Sequence, residues 1–241
     1  MINKLLKELD YKVEDDSPYI YEDFCVPRVS HILSDMIHEE FLDKWIYSLA
    51  FYKRKNYINE REKAAFIGTL SHNAIEQFLL ENLDMSEINQ LNIQDKNKVM
   101  NCLESFIKWY SDISPFNNIN IISIEKELVC PYYGGTCDLL ININGKLYLG
   151  DFKTSNRIGY KYFLQLAAYK YVLEYYYGYK IDGCIILQLD KSTISYNEYT
   201  LIFDNIDHKK FIDMCTECFL SLTYAYYNRK RVENEFKRIF K

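Results

Sequence analysis

Residues 135–155 read GTCDLLININGKLYLGDFKTS, setting two aspartates and a lysine among strand-forming residues. Asn144-Gly145 within this stretch is a strong signal for a two-residue hairpin loop, because both residues tolerate positive φ. With that loop, Ile143 opposes Lys146, and counting back along both strands sets Asp138 opposite Asp151. Directly opposed residues hold their Cβ atoms about 4.5–5.5 Å apart. Lys153, two residues past Asp151, faces the same side. Taking residues 131–134 as the preceding loop sets Glu127 opposite Asp138; Glu125, on the same strand face, is the alternative. Three carboxylates and a lysine then converge. Like charges opposed in a water-poor place destabilise a sheet, and a divalent cation resolves the conflict. Hard oxygen ligands favour Mg²⁺ or Mn²⁺ over zinc. A surface hairpin would leave the same carboxylates solvated, but Leu139, Ile141, Leu147 and Leu149 leave it little polar surface.

The elements that must position these groups follow from hydrophobic period. A helix is expected from residue 26 to 51, with Pro27 and Ser30 as start signals, and others over 60–82 and 95–111, the last ended by Ser114-Pro115. The period then changes. Residues 121–129, 135–143 and 146–152 are rich in β-branched and aromatic side chains with turn residues between them. A helix over 160–177, strands over 184–189 and 196–203, and a closing helix over 208–230 complete the chain. Residues 1–23 read as a loosely packed lead-in. This order predicts an α/β fold with a central mixed sheet flanked by helices. An N-terminal helical part, residues 1–115, precedes a sheet-bearing core, residues 116–241, within one compact domain.

In the helix over 60–82, Ile67, Leu70, Ala74, Ile75, Phe78 and Leu79 form an apolar stripe. Thr69, His72, Asn73 and Glu76 gather on the polar face. By composition alone His72 is a solvent-facing histidine. After the sheet, Lys161, Gln165 and Tyr169 form an i, i+4, i+8 row.

Three of these elements together carry a resemblance. Gly135-Thr136-Cys137-Asp138, then Asp151-Phe152-Lys153, then the helix with Gln165 and Tyr169 resemble the PD-(D/E)XK nucleases, in the RecB-like exonuclease branch. Upstream, VPRVSHIL and IGTLSHNAIEQFL resemble phage and mitochondrial genome-maintenance exonucleases, where a G-T-x-x-H-x-x-x-E helix precedes the nuclease sheet. The likeness covers about residues 26–190. It implies a restriction-endonuclease-like core and a Mg²⁺- or Mn²⁺-dependent DNA exonuclease that prefers single-stranded ends. It also implies that His72, Asp138, Asp151 and the Phe152 carbonyl hold the metal. Lys153 would orient the attacking water, Glu127 (or Glu125) would support a second metal or a metal-bound water, and Glu76 would orient His72. Gln165 and Tyr169 would support the lysine and touch the strand, and Trp45 and Tyr169 are candidates to stack on bases. A site-specific endonuclease and a non-catalytic nucleic-acid-binding subunit are the alternatives.

Composition limits the readings further. A net charge of −5 over 241 residues gives no global basic field, so a nucleic-acid partner needs local patches such as Lys53-Arg54-Lys55 or Arg229-Lys230-Arg231. Seven cysteines without framework spacing fit a reducing cytoplasm. Some RecB-like relatives hold an iron–sulfur cluster with one upstream and three downstream cysteines. Here Cys25 and the Cys215/Cys218 pair leave such a set incomplete, so no cluster is expected. No apolar run approaches the ~20 residues of a membrane span, and no protein partner is indicated.

Overall fold

The structure, a computed structural model, describes residues 6, 17–38, 40–52 and 56–240. Lys53-Arg54-Lys55 and most of the expected lead-in lie outside these. Among the described residues, a five-stranded sheet runs in sequence order: β3 (Ile119–Cys130), β4 (Tyr133–Ile143), β5 (Lys146–Lys153), β6 (Gly183–Leu189) and β7 (Tyr196–Ile202). All neighbours pair antiparallel except β5 and β6, which are parallel. A parallel pair needs a crossover. Helix α6 (Tyr160–Tyr175) provides it. The fold is mixed α/β.

Both faces of the sheet are covered. On one, Leu139, Ile141, Tyr148, Phe152, Ile185 and Leu187 pack against α3 (Tyr57–Leu79) and α5 (Ile93–Ile113). Phe106 is the hub of this layer, with ring contacts to Phe78, Trp109, Tyr110 and Phe152. On the other face, Leu128, Leu140, Leu149 and Ile186 pack against α1 (Val29–Met36), α6 and α7 (Ile206–Ile239). The helical part, residues 1–115, therefore enters both of the sheet's cores, α3 and α5 on one face and Leu6 with α1 on the other.

Polar chemistry sets the helix starts. Asn56, Asn92 and Asn205 cap α3, α5 and α7, each side chain accepting from a backbone N–H two or three residues on. The helix expected over 26–51 is instead broken: α1 ends at Met36, and α2 (Glu40–Tyr47) begins anew and runs into a π-helical turn, Ser48–Tyr52. The lead-in is not loose where it is described. Leu6 is fully buried, and a two-stranded hairpin, β1 (Ile20–Tyr21) with β2 (Phe24–Cys25), lies beside β4. Tyr19 there sits so close over Gly134 that a Cβ would collide with its ring. Of the basic triplet on α7, Arg229 pairs with Asp35 and Glu233, and Lys230 lies over the Tyr226 ring. These cations tie α7 to α1 and to its own next turn. No helix among the described residues is long and apolar enough to cross a membrane.

Candidate metal centre

The β4–β5 hairpin turns at Asn144-Gly145, both at positive φ, and its ladder runs from Ile143↔Lys146 to Leu139↔Gly150. That is the register expected from the turn. Beyond Leu139 the ladder stops where the aspartates begin. The Phe152 N–H turns to the Asp138 side chain instead, donating to Oδ2 at 2.5 Å. In an antiparallel pair the N–H and C=O of one residue share an edge, so the Phe152 carbonyl faces the same opening.

The β3–β4 register differs from expectation. The loop is Pro131-Tyr132 alone, since Cys130 already pairs with Tyr133. Glu127 therefore pairs with Thr136, not Asp138, and is exposed. Glu125 falls between the Lys126↔Cys137 and Ile124↔Leu139 pairs, opposite Asp138. It carries a φ of 44°, strained for a residue with a side chain. Strand alternation breaks at this level on both strands. Ile124 and Leu139 pack on the α3/α5 side, whereas Cys137 belongs to the opposite core and Lys126 lies over Tyr179, which packs there too. A strict two-residue period cannot anticipate this break. It is what brings Glu125 and Asp138 under α3.

Helix α3 brings His72. Ile67, Leu70, Ala74 and Ile75 are buried as the stripe required, Thr69 and Asn73 are exposed, and His72 and Glu76 are half-buried over the sheet. Gly68 explains how the helix comes so near: a Cβ there would lie 3.3 Å from Thr154 Oγ1, just past Lys153. A mid-helix glycine costs roughly 0.5–1 kcal/mol against alanine; close approach to β5 is the return. His72 Nδ1 stands 3.5 Å from Asp138 Oδ1, and its ring meets the Phe152 ring edge-on. Among the described residues, His72, Glu125 and Asp138 each offer a ligand atom, all within 4.8 Å of one another.

Asp151 and Lys153 sit beside this trio. Asp151 is 1% exposed, with Lys153 Nζ 2.5 Å from its Oδ2 in a close ion pair. Lys153 lies 5.1 Å over the ring of Tyr162, a residue that no motif or periodicity singles out. Gln165 Nε2 donates to Tyr169 Oη at 3.0 Å. The Tyr169 ring covers β4, and a Cβ on Gly135 would lie 2.5 Å from its Cε1. That contact is the physical reason for glycine at the head of G-x-x-D. Tyr169 is only 4% exposed, so its ring is a buttress under the strand and is not open to stack on a base. Trp45 is half-buried on α2.

The charges are under-compensated. Burial pushes Glu125 up to about 7, and the Asp138 charge adds to this. Burial also lifts Asp151, to about 6, with Lys153 only partly offsetting it. Asp138 is buried too, but His72, Lys153 and the Phe152 N–H outweigh that and hold it below its ordinary value. Burial disfavours the His72 cation, yet the Asp138 charge raises its pKa overall. Acids that converge around one imidazole fit a hard divalent cation that tolerates nitrogen, as Mg²⁺ and especially Mn²⁺ do.

No family model matches the chain, and no curated protein matches it. Among solved structures it is similar to SSO0001, at 16% identity and a TM-score of 0.28, over 69% of this chain and 87% of that one.

Proposed function

We propose that the protein is a Mg²⁺- or Mn²⁺-dependent deoxyribonuclease, an exonuclease acting on single-stranded DNA ends in the cytoplasm. The observation that carries this reading is the convergence of His72, Glu125 and Asp138 beside the Asp151–Lys153 pair, on the strands that bear the G-x-x-D and D-x-K motifs. His72, Asp138 and the Phe152 carbonyl would hold the cation, with Asp151 completing the set; Glu125 takes the place first given to Glu127. A divalent cation so held supplies Lewis acidity to a phosphate oxygen and to water.

The chain's own residues supply the rest. Asp151 and Asp138 together keep the buried Lys153 ammonium charged against its burial. That ammonium orients the attacking water and stabilises the negative charge that develops on the phosphate during in-line displacement. Tyr162 beneath it and the Gln165–Tyr169 pair behind β4 fix the geometry. The test is incubation with Mg²⁺ and three labelled DNAs: a single strand, a blunt duplex and a nicked circle. Shortening of the single strand is expected. Cutting of the closed strand in the circle would indicate an endonuclease. Binding without cleavage would replace this reading with a non-catalytic one.

A further inference from the structure

The carboxyl ends of β5 and β6 open onto a cleft of about 490 Å³, within the range that holds small ligands. In open α/β sheets, the crevice beyond the carboxyl ends of parallel strands is where ligands are received. Ser155, Asn156, Gln188, Lys191, Asn197 and Tyr199 line it. Its walls are tied together by a buried amide. Gln188 Nε2 donates to the Ser155 carbonyl at 2.7 Å, and its Oε1 accepts from Asn197 Nδ2 at 3.2 Å and from Tyr199 Oη at 3.4 Å. The β6–β7 turn is braced as well, with Asp190 Oδ1 accepting from the Ser192 and Thr193 N–H groups. A cleft already held in shape loses little ordering entropy on binding.

The cleft adjoins the candidate centre on its lysine side. Gln188 is the register partner of Lys153 across β5–β6. Ser155 accepts from Tyr162 Oη at 3.1 Å, and that ring lies under the Lys153 ammonium. Tyr199 presents an exposed aromatic ring, and the exposed amide of Asn156 makes no side-chain hydrogen bond within the described residues. Lys191 is half-buried and forms no ion pair among the described residues. One aromatic face, several amides and an unpaired cation match the three parts of a nucleotide: base, sugar and phosphate.

We propose that this cleft binds the nucleotide next to the scissile phosphate, on the Lys153 side. The inference rests on the nuclease reading for the word scissile, but nucleotide binding tests it separately. Tyr199 offers its ring to the base, Asn156 and Asn197 their amides, and Lys191 its charge to the neighbouring phosphate. None of them belongs to the candidate metal centre.

The experiment has two arms. In the first, dTMP and dAMP are titrated by calorimetry, in EDTA, into wild type, Tyr199→Ala, Tyr199→Phe and Asn156→Ala, with melting curves as the check on folding. Saturable binding is expected, about tenfold weaker in Tyr199→Ala and nearly retained in Tyr199→Phe, since one stacked base is typically worth about that factor or more. In the second arm, single-strand cleavage should show a raised KM and a nearly unchanged kcat in the Tyr199→Ala and Asn156→Ala enzymes. No nucleotide binding, or binding equal in all variants, overturns the cleft whatever the cleavage result. Metal-dependent cleavage with an unaltered KM overturns the cleft and leaves the nuclease reading standing. Nucleotide binding by a protein that cuts no DNA does the reverse.

Discussion

Helix α3 meets a buried aspartate chemistry at two places, and the two are built oppositely. Toward its first half, Lys63 reaches Asp95 of α5 at 2.8 Å. Lys98 holds the other carboxylate oxygen at 2.8 Å, and Asn92 donates at 2.6 Å. One acid has two cations and an amide, and its pKa lies well below the ordinary range, chiefly through the Lys63 bond. Further along the same helix, His72 meets Asp138, Glu125 and Asp151, where three acids share one lysine and one imidazole. There burial wins at Glu125 and Asp151, lifting them to about 7 and about 6. The first arrangement is complete in itself and clamps two helices together. The second is complete only with an added positive charge. A saturated acid points to structure and an unsaturated cluster to a ligand.

The largest effect expected from this contrast is on cleavage. Lys153→Ala and Asp138→Ala should each lower the rate by about 10²–10³-fold, the usual worth of one preorganised electrostatic group. Asp95→Asn should leave the rate within a few-fold of wild type. Single-turnover cleavage with matched melting curves checks this. A fully active Lys153→Ala enzyme would remove the mechanism.

Next in size is metal affinity. His72→Ala should weaken Mn²⁺ binding by about tenfold or more, because loss even of groups that only support a ligand costs 10–100-fold. His31→Ala and His38→Ala should not, since both residues are exposed and His38 pairs with Asp43. Calorimetric titration of Mn²⁺ into the four proteins decides; equal affinities would make His72 a bystander.

How much of this was legible in the sequence differs between the two hairpins. Asn144-Gly145 fixes its own loop, so the β4–β5 register as far as Leu139↔Gly150 follows from turn chemistry alone; the ladder ends there, so the direct Asp138–Asp151 pairing that the same count predicts is not formed. Pro131-Tyr132 carries no such signal, and the tighter loop moves the facing acid from Glu127 to Glu125. The break in alternation at Glu125 and Asp138 was equally out of reach, because a regular strand period is blind to a positive φ. The stripe on α3 told which face of the helix is buried. That its polar face would be half-covered by the sheet depends on Gly68 meeting Thr154, a tertiary contact. Tyr162 and the Gln188-braced cleft are likewise products of the β5–α6–β6 crossover and have no local pattern.

Stability against pH sharpens the contrast further. Glu125 and Asp151 hold protons more tightly folded than unfolded, and His72 does too. The two carboxyl contributions are present at low pH and are lost as pH rises from about 4 through 7, and the His72 contribution is lost only above its ordinary value of about 6.5. Asp138 has the opposite sign, but its contribution is fully present above the ordinary carboxylate range and does not change in this window. The metal-free protein should therefore melt progressively lower from pH 5 to pH 8. Divalent cation at about a hundred times its Kd should return roughly 5–10 °C at pH 8, from about 2.7 kcal/mol of linkage at 2–4 °C per kcal/mol. Little return is expected at pH 5, where Glu125, Asp151 and His72 are protonated and Asp138 is the one ionised ligand left. A metal-free melting point that rises from pH 5 to 8, or no cation effect at pH 8, would contradict the under-compensated site.

The smallest effects have the most telling signs. Glu125→Gln removes a charge that its surroundings repel, so without metal at pH 8 it should raise the melting point by a few degrees. Asp95→Asn removes the partner of two lysines and should lower it. That drop is also a few degrees, because Lys63 and Lys98 are 49% and 39% exposed and solvent screens their pairs. Glu127→Gln, on an exposed residue paired with Thr136, should change nothing and serves as the register control. The three substitutions alter charge identically, so differences between them report surroundings and not net charge. Adding Mn²⁺ should then reverse the order of Glu125→Gln and wild type, because the variant has given up a group that favours the cation. It should shift Asp95→Asn and Glu127→Gln as much as wild type. If Glu127→Gln behaved as expected of Glu125→Gln, the facing acid would be the one set by the longer loop, and the tight Pro131-Tyr132 turn would be wrong.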